Sequence, residues 1–233
     1  MPPLRGARVV VVSPHLDDGV LSLGAAMRAW ARSGAQVELL TALACDPASV
    51  APTAGWDARG GFATEGESAL ARRDEDTAAC AMLGASPMWL PYGSVDYERH
   101  GDERSVVAAV VDTIGAADLV VLPGFPLSHP DHAWLVRALV GDGRALRCSV
   151  AFYAEQPYTA RRDARPTLPK WLAERTGLDP AFVALPRRPR GLVAKWRAVR
   201  CYRSQLPLLA LRGLRRGVDV AWSRELVTGR VPD

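Results

Sequence analysis

The sequence predicts a single α/β domain, with a Rossmann-like, open and mostly parallel sheet of about five strands flanked by helices. Three observations lead to this fold class. Short β-branched runs, such as the four valines at 9–12, alternate with amphipathic segments, and their uniform apolarity is typical of strands buried on both faces. The chain has 233 residues, 48% of them hydrophobic, which is enough for one substantial core. No composition shift or internal repeat indicates a second domain.

The first half of the chain gives two predicted strands, two predicted helices and one long loop. Gly34 and Gly84 are expected to end the helices, because glycine readily adopts the left-handed conformation found there. Irregular segments as long as this loop are often functional in compact domains, so we expect it to contribute to a site. In chain order these segments are a strand at 9–12, a helix at 20–31, a strand at 37–43, the loop at 45–64 and a helix at 67–83.

The second half continues the alternation. It gives a brief strand at 88–90, a polar loop containing Asp96, a helix at 105–114, strands at 119–122 and 150–153, and a helix at 192–204. The proline-rich region 157–189 has no periodicity that assigns it to a helix or a strand. The domain is expected to span residues 1–233, with a C-terminal helical region at about 191–225.

A candidate catalytic motif follows the first predicted strand. The hexapeptide Ser-Pro-His-Leu-Asp-Asp at 13–18 places His15, Asp17 and Asp18 where an open α/β sheet usually binds its ligand. An imidazole with two carboxylates is the set of groups that a metal-dependent hydrolase needs. The structural alternative is that Asp18 caps the following helix, which leaves the other two residues unexplained.

A second motif, Ser-His-Pro-Asp-His at 128–132, follows the apolar run at 119–122. In a parallel sheet the carboxyl ends of the strands lie at one edge, so both motifs can converge on one ion. Helix capping by Ser128, with Pro130 and Asp131 in the first turn, explains part of this motif without needing His129 or His132. The Gly-x-Gly-x-x-Gly pattern of a dinucleotide site is absent after the first strand.

Taken together, the two motifs resemble those of the PIG-L/LmbE-like zinc N-deacetylases, in the branch whose first motif reads Ser-Pro-His-x-Asp-Asp-x-x-Leu-Ser. Two further segments are similar to helices of that family. They are Arg72-x-x-Glu75-x-x-x-Ala79-x-x-x-Leu83-Gly84 and the stretch from Lys195-x-x-Ala198 to Tyr202-x-Ser204-Gln205.

The resemblance implies a role for each residue of the two motifs. His15, Asp18 and His132 would ligate zinc, although the same ligand set also accepts Fe²⁺. Asp17 would act as general base on a metal-activated water, and His129 would help to stabilise the oxyanion. Asp131 would orient one of the imidazole rings.

Three more residues are candidates for binding the substrate. Arg72 and Asp96 resemble positions that hold sugar hydroxyls in relatives, although Arg72 also fits a helix-surface ion pair with Glu75 or Asp76. Trp56, in the long loop, offers a stacking face for a sugar, and packing against the core is the alternative.

The function implied by this resemblance is a metal-dependent N-deacetylase, an amidohydrolase of secondary metabolism. Its substrate would be a small N-acylated amino sugar, such as an N-acetylglucosamine unit, or a glycosylated antibiotic precursor. Amide cleavage in a thiol-sugar conjugate is an alternative within the class.

Two alternatives from other classes are a non-catalytic sugar-binding domain and a basic nucleic-acid-binding domain. Asp17 argues against the first, because a binding site has no evident need for a base beside its ligand. The net charge of +4 comes mostly from arginines after residue 160, and no aromatic stacking pattern accompanies them, which disfavours nucleic acid as a partner.

The four cysteines lack Cys-x-x-Cys spacing, and no apolar stretch is long enough to span a bilayer. These features predict a cytoplasmic protein without a membrane partner.

Overall fold

A seven-stranded mixed sheet forms the centre of the computed structural model, which describes residues 4–97, 102–159, 166–211 and 222–229. Five neighbouring strands are parallel, in agreement with the predicted sheet. They are β1 (Arg8–Ser13), β2 (Gln36–Thr41), β3 (Ser86–Trp89), β4 (Leu119–Phe125) and β5 (Ser149–Ala154).

Two short strands that the sequence did not predict extend the sheet beyond β5. They are β6 (Val183–Ala184) and β7 (Leu226–Thr228), and both pairings that attach them are antiparallel. The resulting order is β3-β2-β1-β4-β5-β7-β6. Strands of two and three residues are too short to show a period of two in the sequence.

Helices cover both faces of the sheet. They are α1 (Asp18–Arg32), α2 (Gly55–Arg59), α3 (Glu65–Leu83), α4 (Glu103–Ile114), α5 (Pro130–Asp142), α6 (Lys170–Thr176), α7 (Pro189–Val199) and α8 (Leu206–Leu211). Two of them correct the sequence-based assignment, since α2 lies within the loop predicted as irregular and α6 within the unassigned proline-rich region. Residues 212–221 of the predicted C-terminal helical region lie outside the described residues.

The last predicted helix, at 192–204, is shifted in the structure. It begins three residues earlier, where Pro189 occupies the first turn, and it ends at Val199. The chain then turns, and this turn buries the ring of Tyr202, whose hydroxyl donates to Asp76 Oδ1 at 2.6 Å. Among the described residues, none of the helices has the length and apolarity needed to cross a membrane.

The valine run of β1 shows how the two cores form. Val9 and Val11 belong to the cluster that α1, α3 and α7 cover, whereas Val10 and Val12 belong to the cluster beneath α4 and α5. All four are fully buried. Because successive side chains of a strand point to opposite faces, an uninterrupted apolar run is what a strand covered on both sides requires.

A buried ion pair supports α1 at a kink. Leu23 departs from helical geometry (φ −130°, ψ 15°), and the backbone N–H groups of Ala25 and Ala26 donate to the Glu225 carboxylate at 2.9 and 2.7 Å. Lys195 Nζ, on α7, lies 2.8 Å from the same carboxylate, and its side chain is fully buried. A Cβ at Gly24 would lie 2.9 Å from Lys195 Cγ, so glycine permits this close approach.

We expect Lys195→Met to lower the free energy of unfolding by about 3–5 kcal/mol, because it leaves the Glu225 carboxylate buried without its cation. Urea unfolding followed by circular dichroism measures this. The matched control is Lys170→Met, which removes a lysine from a pair with Glu174 whose side chains are 89% and 65% exposed. That variant should be indistinguishable from the parent chain. Equal losses in the two variants would contradict a special role for the buried pair.

Candidate active site

The two sequence motifs meet at the carboxyl edge of the sheet. Strands β1 and β4 are parallel neighbours, with Val11 opposite Val121, so the loops that follow them lie side by side. The first loop leads into α1 and the second into α5. Both contribute to the lining of a cavity of about 320 Å³. The position agrees with the rule that open α/β sheets bind ligands beyond the carboxyl ends of their strands.

Three ligand atoms form a nearly equilateral triangle at one end of this cavity. His15 Nδ1 and Asp18 Oδ2 are 3.3 Å apart, Asp18 Oδ2 and His132 Nε2 are 3.1 Å apart, and the two imidazole nitrogens are 3.2 Å apart. Tetrahedral coordination at zinc-like bond lengths separates ligand atoms by about 3.3–3.4 Å. The spacing and the chemistry of this donor set therefore fit a divalent metal ion.

A second combination of ligand atoms is also close together. Among the described residues, His15, His129 and His132 each offer an atom within 4.8 Å of the others. The two possible sets share two histidines and differ in whether Asp18 or His129 completes the triad.

In both shared imidazoles, a carboxylate contacts the ring nitrogen that faces away from the triangle of ligand atoms. His15 Nε2 lies 3.0 Å from Asp131 Oδ2, which also accepts the N–H of Val95 at 3.1 Å. His132 Nδ1 forms a short hydrogen bond with Glu155 Oε1. In the neutral ring, a carboxylate on one nitrogen places the proton there, so the other nitrogen can present a lone pair to a metal ion.

Glu155 is a functional residue that the sequence analysis missed. It is almost fully buried directly after β5, and its other oxygen accepts the N–H of Leu127 at 2.7 Å. One carboxylate therefore fixes both His132 and the loop that carries His129. Its position shortly after the predicted strand at 150–153 was the signal available in the sequence.

The pKa values of the adjacent residues Asp18 and Asp17 are shifted in opposite directions. Burial opposes ionisation of Asp18, but His132 and His15 outweigh it and hold the pKa of Asp18 well below its usual value. For Asp17, burial and the charge of Asp18 together raise the pKa to about 8, against the opposing effect of Arg72. The pair thus contains one carboxylate stabilised as an anion and one that holds a proton readily.

Asp17 also has an unusual backbone. It lies before the first residue of α1 with φ 119° and ψ −37°, and its side chain makes no capping hydrogen bond. Asp18 does not cap either, so the capping alternative is wrong; its carboxylate accepts the N–H of His15 at 3.0 Å. Among the described residues, no hydrogen-bond partner is found for the Asp17 carboxylate, which lines the cavity. It is therefore available to a ligand.

His129, rather than Ser128, caps α5. Its Nδ1 accepts the N–H of Asp131 at 3.2 Å, with Pro130 in the first turn as expected. Burial and the neighbouring His15 and His132 lower the pKa of His129 to about 4. The ring is therefore neutral near pH 7, and its proton is on Nε2, which makes this atom a hydrogen-bond donor.

The three predicted substrate-binding residues, Arg72, Asp96 and Trp56, all line the cavity. The Trp56 ring packs against the core, as the alternative expected, and its Nε1 donates to Gln205 Oε1 at 2.6 Å; the stacking role stays a prediction. Asp96 Oδ2 accepts the N–H of Trp56 at 3.3 Å. The ion pair expected for Arg72 is not formed with Glu75 or Asp76; its partner is Asp57 Oδ1, at 3.2 Å.

A mixed sheet with helices on both faces matches the fold of solved LmbE-like deacetylases. A sequence model of the PIG-L family, described as GlcNAc-PI de-N-acetylase, matches residues 10–140, more than half of the chain. The chain belongs to the PIG-L family of deacetylases. The expected family and the expected fold class are confirmed.

Individual relatives come from antibiotic biosynthesis. The 2'-N-acetylparomamine deacetylase of Streptomyces fradiae is 30% identical over 199 residues, covering 76% of this chain and 66% of that protein, slightly less than two thirds of it. A deacetylase that acts on an antimicrobial pseudoaglycone is 25% identical, with a TM-score of 0.75 and 96% of each chain covered.

Two structures of a deacetylase from teicoplanin biosynthesis show the same fold. A triple mutant has a TM-score of 0.78 at 24% identity, covering 96% of this chain and 97% of that chain. A zinc-inhibited form has a TM-score of 0.73 at 22% identity, with 95% and 97% covered.

In the metal-free protein, we expect His129 to remain neutral with its proton on Nε2 between about pH 5 and 6, where an ordinary histidine becomes protonated. The reason is that its pKa is lowered to about 4 and its Nδ1 is an acceptor. Nitrogen NMR of the isotopically labelled protein distinguishes the two tautomers and the imidazolium. An imidazolium in this pH range, or a proton on Nδ1, would contradict the assignment.

Proposed function

We propose that this chain is a zinc-dependent N-deacetylase that removes an acetyl or short acyl group from the nitrogen of an amino sugar in a glycosylated antibiotic precursor. The observation that carries the proposal is the triangle of His15, Asp18 and His132, beside which the Asp17 carboxylate lines the cavity without a hydrogen bond to any described residue. The names of the relatives support the substrate class, since they include deacetylases of paromamine and of teicoplanin biosynthesis.

His15, Asp18 and His132 would hold the metal. We favour this set over the three histidines because His129 Nδ1 already caps α5 and because an anionic ligand stabilises a dication better than a third neutral ring. A bound zinc ion supplies Lewis-acid activation of a water molecule and of the amide carbonyl. Fe²⁺ suits the same mixed nitrogen and oxygen donors, so it is the alternative metal.

Asp17 is the proposed general base. Its carboxylate takes a proton from the attacking water as the new carbon–oxygen bond forms, and it returns a proton to the amide nitrogen as the carbon–nitrogen bond breaks. The products are a free amine and a carboxylate such as acetate. A group that exchanges a proton near neutrality suits both transfers, and burial together with the charge of Asp18 raises the pKa of Asp17 toward that range in the metal-free protein.

His129 is the proposed donor to the oxyanion. As a neutral ring with a proton on Nε2, it can donate a hydrogen bond to the carbonyl oxygen as negative charge develops there. Its lowered pKa keeps the ring neutral at physiological pH, so this role requires no change of protonation during the reaction.

The cavity limits the part of the substrate that reaches the site. A volume of about 320 Å³ is at the small end of ligand pockets, which span about 300–1,000 Å³, so it suits one substituted sugar ring. Trp56 provides an apolar wall, while Asp96 can accept hydrogen bonds from hydroxyl groups. An aglycone or further sugars would lie outside. This arrangement suits a thiol-sugar conjugate equally well. Substrate assays therefore decide between that conjugate and the amino sugar of an antibiotic precursor.

We expect about one zinc per wild-type chain after loading and dialysis, and none in His132→Ala. Elemental analysis measures the metal. The discriminating variant is His129→Ser, which keeps a good capping residue and should keep its zinc. Loss of zinc from His129→Ser would instead favour the three-histidine set. Equal zinc in wild type and His132→Ala would overturn the metal site.

Asp17→Asn should reduce deacetylation by about 10²–10⁴-fold, because it removes the base, while zinc content stays at the wild-type level. Acetate release from 2'-N-acetylparomamine and from N-acetylglucosamine derivatives provides the assay. Asp142→Asn, which changes a surface carboxylate paired with Arg144, is the control and should leave the rate unchanged. Full activity of Asp17→Asn would overturn the mechanism.

A further inference from the structure

The Arg72 guanidinium is bonded on two sides within the protein. Its NH1 donates to Asp57 Oδ1 at 3.2 Å, and its NH2 donates to the backbone oxygen of Leu16 at 3.0 Å. The side chain is 13% exposed, and Nε is buried. Two of the five N–H donors of Arg72 are thus directed at the protein, and the buried Nε has no hydrogen-bond partner among the described residues.

The oxygen of Leu16 belongs to the peptide bond that precedes Asp17. With φ 119°, Asp17 has a backbone conformation that non-glycine residues rarely adopt and that persists only where the surroundings hold it. The peptide bond that follows Asp17 is held by Leu21, whose N–H donates to Asp17 O at 2.9 Å. Arg72 holds the preceding peptide bond, between Leu16 and Asp17, through its hydrogen bond to the Leu16 oxygen.

Other contacts of this loop hold its flanks. Ser13 Oγ donates to His15 O at 2.6 Å and accepts the N–H of Gly19 at 2.9 Å. These bonds fix the start of the loop and the first turn of α1. Among the described residues, the hydrogen bond that reaches the Leu16 oxygen comes from Arg72.

Arg72 is itself fixed by a buried carboxylate. Asp57 is 4% exposed, and its second oxygen accepts the hydroxyl of Tyr97 at 2.9 Å. Asp57 lies on α2 next to Trp56, which lines the cavity. A chain of contacts therefore runs from the helix that forms the cavity wall, through Asp57 and Arg72, to the peptide bond that carries Asp17.

We propose that Arg72, anchored by Asp57, is a positioning residue that holds the Leu16–Asp17 peptide and so aims the Asp17 carboxylate at the reacting water. This differs from the substrate-binding role that the family resemblance implied for Arg72. The inference rests on the proposed function, because it takes Asp17 as the base.

The test separates binding from positioning through kcat and KM. A positioning role predicts that Arg72→Lys and Asp57→Asn each lower kcat on the order of 100-fold with little change in KM, because small displacements of a catalytic group have effects of this size. Adding guanidinium at a low, non-denaturing concentration to Arg72→Ala should restore part of kcat. Arg144→Ala, which removes a surface arginine and its pair with Asp142, is the control and should match wild type.

Zinc content and the midpoint of thermal unfolding are measured for every variant, so that only folded, metal-loaded proteins are compared. A rise in KM with unchanged kcat would show that Arg72 binds substrate and would overturn the proposal. Unchanged values of both constants would overturn it as well.

A double-mutant cycle distinguishes failure of this inference from failure of the proposed function. If Arg72 acts through Asp17, Arg72→Lys should have little further effect on the residual rate of Asp17→Asn. Additive losses would overturn the positioning role while leaving Asp17 as the base. Full activity of Asp17→Asn alone would instead overturn the proposed function.

Discussion

The parallel pairing of β1 with β4 is the constraint on which the candidate site depends. The two strands are separated by more than a hundred residues in the sequence, and β2 lies on the other side of β1. After β1 the chain first adds β2 and β3 on one side of β1, and it later returns to place β4 on the other side. A crevice forms between the connections that lead to the two sides. The loop with His15 and the loop with His129, which leads to His132 in the first turn of α5, border this crevice. Each is followed by a helix, which fixes where its loop ends.

The electrostatics of the site follow from burying several charged groups in that crevice. Asp131 and Glu155 each have an imidazole as partner, and Asp18 lies between two of them. A buried carboxylate is tolerated when it is paired and hydrogen-bonded. Asp17 is the exception, because burial and the charge of Asp18 raise its pKa, and no hydrogen bond within the described residues stabilises its anion. The same surroundings that hold the metal-ligand candidates in place therefore leave Asp17 ready to exchange a proton.

The sequence predicted the parts of the fold that have strong local patterns. The valine run of β1 identified a strand buried on both faces, and the two motifs identified loops that the structure brings together. It missed Glu155, because a single glutamate after a strand has no pattern until the neighbouring strand is known. The alternative ion pair of Arg72 with Glu75 or Asp76 is wrong, and the true partner was missed because α2 is only five residues long and periodicity does not reveal that its Asp57 turns toward α3.

Adjacent carboxylates present a geometric problem, which the backbone of Asp17 resolves. In a regular first turn, two neighbouring residues would place their side chains about 100° apart around the helix, with both backbones fixed by the helix itself. Here Asp18 begins α1 and directs its carboxylate between His15 and His132, while the positive φ of Asp17 turns the preceding residue out of the helix. One carboxylate can then be an ionised ligand and the other a base that faces the cavity. The strained conformation is maintained by bonds to both flanking peptides, which ties the chemistry of the pair to residues on α1 and α3.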